Sequence, residues 1–181
     1  MPVFSDADGV PTPGSLDELL LFRLPCAVRA GSHMAARLAD EGFGITHSEW
    51  EMIASLAQIG EVTPSAFAER LQLDRVRISR GLGSLAQKGL VERRRDAEDG
   101  RGVHVRLSPQ GQQLFDELFP RIAHLDAELL AGIDAAQVDI FLQCLRRIEL
   151  RAAELSAKGA VPESANRHAG GTRRRWPRYR A

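Results

Sequence analysis

Residues 63–107 read TPSAFAERLQLDRVRISRGLGSLAQKGLVERRRDAEDGRGVHVRL. Thr63 followed by Pro64 is a helix start, because a hydroxyl can cap free backbone N–H groups and proline's fixed φ suits the first helical position. Ala66, Phe67 and Leu71 then recur at helical spacing and point to a core. Leu73 and Asp74 form the turn, with Asp74 as the next cap. From Arg75 to Lys88 the pattern is expected to carry Val76, Ile78, Leu82 and Leu85 inward. Gly89 supplies a left-handed stop. Leu90–Arg94 and Val103–Leu107 alternate as two strands, joined by the polar loop Arg95–Gly102.

Two helices around a tight turn, followed by a basic hairpin, make the pattern of a winged helix-turn-helix. Such a unit sets its second helix in the major groove of DNA and its ribbon beside it. Arg75, Arg77, Ser79 and Arg80 lie in the N-terminal half of that helix. Arginine can bond guanine O6 and N7 together, and a helix N-terminus favours phosphate. A solvated helix face is the plain alternative for these residues, and a winged-helix protein-interaction module that binds no DNA is the alternative for the whole unit. Ser65 is a candidate phosphate contact, or simply a second capping hydroxyl. Arg93 and Arg94 are generic phosphate binders, and with Arg95 they also suit an exposed strand edge.

Outward from this stretch, helices flank it on both sides. Residues 1–14 are rich in Pro, Gly and Asp and read as disordered. Ser15 opens a helix through an S-L-D-E capping box, with Leu16, Leu19, Leu20, Leu24, Ala27, Ala30, Met34 and Leu38 as its apolar stripe. Pro25 is expected to kink or break it. Thr46 and Glu49 form a second capping box, followed by Trp50, Ile53, Ala54 and Leu56 and ended by Gly60. After the hairpin, Ser108-Pro109 starts a long helix bearing Leu114, Phe115, Leu118, Ile122, Leu125, Leu129 and Leu130, with Pro120 as a second expected kink. Asp134 and Gln137 box the last helix, whose stripe is Val138, Phe141, Leu142, Leu145, Ile148, Ala152 and Leu155. The end, RRRWPRYR, reads as a basic disordered tail that adds non-specific DNA affinity or does nothing.

The expected fold is mainly α with a small β-wing, in the order α-α-α-α-β-β-α-α. Residues 15–45 and 108–157 form a helical dimerisation domain, 46–107 the winged unit, and 1–14 and 158–181 the tails.

The 181 residues carry a net charge of zero, which at first argues against a polyanionic partner. The distribution reverses that: Arg70 to Arg106 holds ten Lys/Arg against five Asp/Glu. The basic footprint belongs to one module flanked by acidic helices. No apolar run is long enough to span a bilayer, no secretory leader is visible, and the two cysteines, Cys26 and Cys144, suggest no disulfide framework. The cytoplasm is the expected location. His33, His47, His104, His124 and His168 are scattered without ligand spacing, and no common nucleophile or phosphate-loop fingerprint is present. Neither metal, cofactor nor enzymatic activity is expected.

The order of elements, the LDRVRISRGLGSLAQKGLVERR run, the D-x-R of the wing (Asp99, Gly100, Arg101), the following V-R-L-S-P-Q-G and the GITHSEWEMIASL entry together resemble MarR-type transcriptional regulators. The similarity covers roughly Leu16 to Leu155. It implies a homodimer whose terminal helices interlock and whose two winged lobes read a pseudo-palindromic operator, often as a repressor released by a small aromatic acid. It implies that Arg101 reaches into the minor groove while Asp99 holds the wing's shape; an ordinary charged hairpin tip is the other reading. It also implies an effector site between the dimerisation helices and the winged lobe, where Arg29, His33, His47 and Trp50 fall. Trp50 reads equally as core. Some relatives sense oxidants, for which Cys26 is the available thiol, with a buried inert thiol as the alternative. Gly81 and Gly83, inside the reading helix, depart from the pattern, each costing ~1 kcal/mol relative to alanine.

Overall fold

The computed structural model describes residues 13–95 and 102–160, with Arg95 described by its backbone alone. The expected N-terminal and C-terminal tails therefore lie largely outside the described residues, as does the wing tip with Asp99 and Arg101. The elements are α1 (Leu20–Phe43), α2 (His47–Ile59), α3 (Pro64–Arg70), α4 (Arg75–Gln87), β1 (Val91–Arg95), β2 (Val103–Leu107), α5 (Pro109–Leu129) and α6 (Ala135–Ala157). They fall into two units, Pro13–Ala131 and a second whose described part runs from Gly132. No described helix is long and apolar enough to cross a membrane.

Local chemistry sets most boundaries of the larger unit. Thr46 accepts from the Glu49 N–H while Glu49 accepts from the Thr46 N–H, a complete capping box. Thr63, Asp74 and Ser108 each accept from the N–H three residues on, with Pro64 and Pro109 at the first helical positions. Gly44 ends α1 at φ 63°, a left-handed cap that a side chain would strain.

One expectation fails in α1. Ser15 makes no side-chain cap; Leu16–Glu18 is a single 3-10 turn, and Glu18 instead accepts from the Gly14 N–H at 2.7 Å. Leu19 is extended, so the helix restarts at Leu20. Pro25 and Pro120 do not break their helices: α1 and α5 are each assigned as one continuous segment through them.

The core gathers Ile45 with Met52, Ile53 and Leu56 of α2, Phe67 of α3, Ile78, Leu82 and Leu85 of α4, Val105 of β2 and Leu118 of α5. Burying side chains of this size contributes roughly 1.5–3 kcal/mol each. The strands pair antiparallel, Val91 opposite Leu107 through Arg95 opposite Val103. A further bridge was not legible in the sequence: Val62 and Val105 exchange both backbone hydrogen bonds, at 3.1 and 2.9 Å, tying the segment before α3 to the wing. The α3–α4 turn also differs in detail, since Gln72 takes φ 52°.

In the second unit, Asp134 and Gln137 complete the expected box at the start of α6. None of its residues is buried, and Ile140, Phe141, Leu142 and Leu150 are exposed.

Candidate nucleic-acid interface

Helix α4 is amphipathic by phase. Ile78, Leu82 and Leu85 follow at spacings of four and three and go into the core. Val76 is out of phase with them by two residues, about 200° of helix turn, and is 59% exposed. That corrects the expectation that it points inward. Its outward face also carries exposed Arg75, Arg77, Ser79 and Arg80. An exposed apolar side chain among arginines has the chemistry to meet the methyl group of thymine. Helical phase, rather than apolarity, was the signal that would have placed it.

Asp74 fixes the start of this face. Its carboxylate accepts from the Arg77 N–H at 2.8 Å, and this backbone hydrogen bond holds its pKa below the ordinary value against a smaller opposing effect of desolvation.

Four residues singled out in the sequence converge. Ser65 of α3, Arg75 and Ser79 of α4 and Arg93 of β1 line one cleft of about 310 Å³, with Pro64, Ile78, Leu82 and Val103 as its apolar wall. Two guanidiniums and two hydroxyls around a cleft form an anion-binding chemistry. Among the described residues, Arg75, Arg77, Arg80 and Arg93 have no carboxylate within ion-pair distance. Arg106, by contrast, is engaged by its cross-strand partner Glu92 at 3.0 Å. Arg94 is exposed on β1.

The four residues expected around an effector are not gathered. Trp50 is 7% exposed and stacks on Phe115 at 5.8 Å, with Phe115 stacking on Phe119 at 5.2 Å. It is core, held by a ring partner 65 positions away that helical periodicity alone does not reveal. His47 lies 3.5 Å from Glu51 on its own helix, and its Nδ1 is buried without a partner. The Arg29 guanidinium donates to Cys26 Sγ at 3.1 Å, and His33 is exposed. None of the four lines the larger groove between α1 and α5. That groove, about 510 Å³, is lined by Met34, Arg37, Leu38, Glu41, Gly42, Arg121 and Leu125. Arg121 also stands over the Phe43 ring at 5.2 Å. Sequence reasoning missed Arg37 and Arg121 because only the antiparallel pairing of α1 with α5 brings them together.

The model of the MarR family matches residues 43–102, from the end of α1 to the start of β2. The similarity to the MarR family thus covers the winged-helix segment of this chain. A curated relative, the uncharacterized HTH-type transcriptional regulator YdgJ of Bacillus subtilis (strain 168), is 30% identical over 105 residues, which are 58% of this chain and 64% of that protein. The match thus spans less than two thirds of that relative's length. Among solved structures, a MarR/EmrR family transcriptional regulator from Acinetobacter sp. ADP1 aligns with a TM-score of 0.71 at 20% identity, covering 77% of this chain and 99% of the other. BpsR of Bordetella bronchiseptica, whose DNA binding is regulated by 6-hydroxynicotinic acid, aligns at 0.66 and 18% identity, covering 76% and 98%. At those identities the likeness establishes the fold alone, with α4 and the two-stranded wing in their expected order.

Proposed function

We propose that this chain is a homodimeric, MarR-type DNA-binding transcriptional regulator that represses its target and is released by a small acidic, aromatic effector. The observation that carries the proposal is the convergence of Ser65, Arg75, Ser79 and Arg93 on one cleft beside the exposed arginine face of α4. Phosphates would sit in the cleft, and Arg75, Arg77, Arg80 and Val76 would read base edges. Arg94, Arg101 and Asp99 would serve the wing.

Dimerisation is supported by exposed apolar surface near the start of α1, where Leu19, Leu20, Leu21, Phe22 and Val28 are uncovered, Leu21 at 88%. Such a face calls for a partner surface. A second copy would hold the two reading helices about one DNA turn apart, ~34 Å. The α1–α5 groove suits an effector of the proposed class: Arg37 and Arg121 for a carboxylate, Met34, Leu38 and Leu125 for a ring. BpsR, with its hydroxynicotinic acid, shows that such a ligand can regulate a protein of this fold.

The redox reading has one observation in its favour, the Arg29 to Cys26 contact. Peroxide treatment of a Cys26→Ser variant separates the two: a response that persists assigns it elsewhere.

The function is tested by selecting DNA from a random pool with the purified protein and titrating the enriched site against a scrambled duplex. Binding to the enriched site that falls steeply with salt and weakens on adding an aromatic acid supports the proposal. A protein that enriches no sequence and binds no duplex overturns it.

A further inference from the structure

Three helix ends meet at one ammonium group. Lys88 caps the C-terminus of α4, and its Nζ donates to Gly44 O, at the C-cap of α1, and to Glu49 Oε2, in the first turn of α2, both at 2.8 Å. The other Glu49 oxygen accepts from Ser84 of α4 at 2.6 Å. Glu49 is thereby saturated, since its Oε2 also accepts from the Thr46 N–H and hydroxyl at 2.8 and 3.2 Å. The carboxylate is 6% exposed. A buried carboxylate held on every side has few alternative positions.

The residue type adds to the argument. Of the chain's 24 Lys and Arg, only Lys88 and Lys158 are lysines. Where every other cation of the described larger unit is an arginine, this joint uses a compact ammonium, whose tetrahedral donors can converge on a carbonyl and a carboxylate from different helices. A planar guanidinium is longer and forks in one plane. Lys88 also sits 13 residues beyond Arg75 in the sequence. That is roughly 20 Å along the α4 axis from the end that would enter DNA.

We infer that Lys88 is a positioning residue for DNA reading: with Glu49 and Ser84 it locks the C-terminal end of α4 to the junction of α1 and α2, so that α1 sets the orientation of the reading helix. The inference rests on the proposed DNA-binding role of α4. The groove residue Gly42 and the Phe43 ring under Arg121 immediately precede Gly44, so a ligand in the α1–α5 groove acts two residues from the carbonyl that Lys88 holds. Coupling needs such a discrete joint that both sites can bias.

The test uses the full chain with Lys88→Met, which keeps the apolar stem and removes the ammonium, and the milder Ser84→Ala. Hydrogen–deuterium exchange without DNA is the first readout. In Lys88→Met, amides at Gly44–Thr46 and the last turn of α4 are expected to exchange at least tenfold faster, with α3 unchanged within twofold. Ser84→Ala should give the same local pattern at about threefold, and decides the matter if Lys88→Met does not fold. The second readout is binding to the DNA enriched by the wild type: Lys88→Met should lose at least tenfold in affinity for that site, with scrambled-duplex affinity and salt slope unchanged. Unchanged or uniformly faster exchange overturns the lock. So does a parallel loss on both duplexes with a shallower salt slope, since Lys88 would then be a phosphate contact. If the wild type binds no DNA, the functional proposal fails, while the exchange data still decide whether the joint orders α4.

Discussion

Gly81 of α4 faces Met52 of α2 so closely that a Cβ at Gly81 would stand 2.5 Å from the Met52 sulfur and methyl carbon. The glycine that weakens α4 is therefore what lets it approach α2. Gly83 is different, because a Cβ there meets nothing within 4 Å; nothing in the structure explains that glycine.

The two substitutions should move stability in opposite directions. Gly81→Ala displaces a buried methionine and is expected to cost about 1–3 kcal/mol. Gly83→Ala adds helix propensity and should stabilise by about 0.5–1 kcal/mol. Urea denaturation of both variants checks this, and two shifts of the same sign would refute the packing assignment.

Glu49 predicts acid sensitivity. Burial alone would raise its pKa, but hydrogen bonds from Lys88, Ser84 and the Thr46 N–H outweigh that and hold it at about 2 against an ordinary 4.5. Because the folded value is depressed, its stabilisation is complete above about pH 4.5 and is lost as pH falls through about 2. Unfolding free energy measured across that window should decline more steeply for the wild type than for Glu49→Gln. Parallel curves would mean that Glu49 is not the responsible group.

Trp50 is a stability residue in this fold. Removing a buried indole stacked on Phe115 should cost about 3–5 kcal/mol in Trp50→Ala. Trp50→Phe should retain most of the stability and leave the effector's midpoint for DNA release unchanged. A shift in that midpoint without loss of stability would restore Trp50 to the ligand site.

Val76 should report on thymine methyls. On the enriched DNA site, Val76→Ala and replacement of one thymine by uracil should each weaken binding by several-fold, and the double change should cost no more than either alone. Additive losses at every thymine would show that Val76 touches none of them.

Where cap chemistry acts over three or four residues, the sequence was enough. The boxes at Thr46 and Asp134, the Thr63 and Ser108 starts and the stop at Gly89, which has φ 71°, all form as read. Ser15 shows the limit, since extended Leu19 interrupts the turn its box would have opened. The exposed arginines of α4 were legible because they share one short helix. The contacts that organise the rest join residues far apart in the chain: Glu49 to Lys88 and Ser84, Trp50 to Phe115, Val62 to Val105. Glu49 read only as a cap because its second partners lie 35 and 39 residues on. Arg29, His33, His47 and Trp50 lie apart for the same reason: which faces of their elements meet is not legible in the sequence.

The central claim is that the exposed face of α4 reads DNA, and Arg77 is its most direct probe. Fluorescence anisotropy at fixed salt, comparing wild type with Arg77→Ala on the enriched site and on a scrambled duplex, tests it. The expected result is a loss of about 1–3 kcal/mol on the enriched site, a much smaller loss on the scrambled one, and an unchanged melting temperature and oligomeric state. Equal affinity of Arg77→Ala and wild type for the enriched site would contradict the claim.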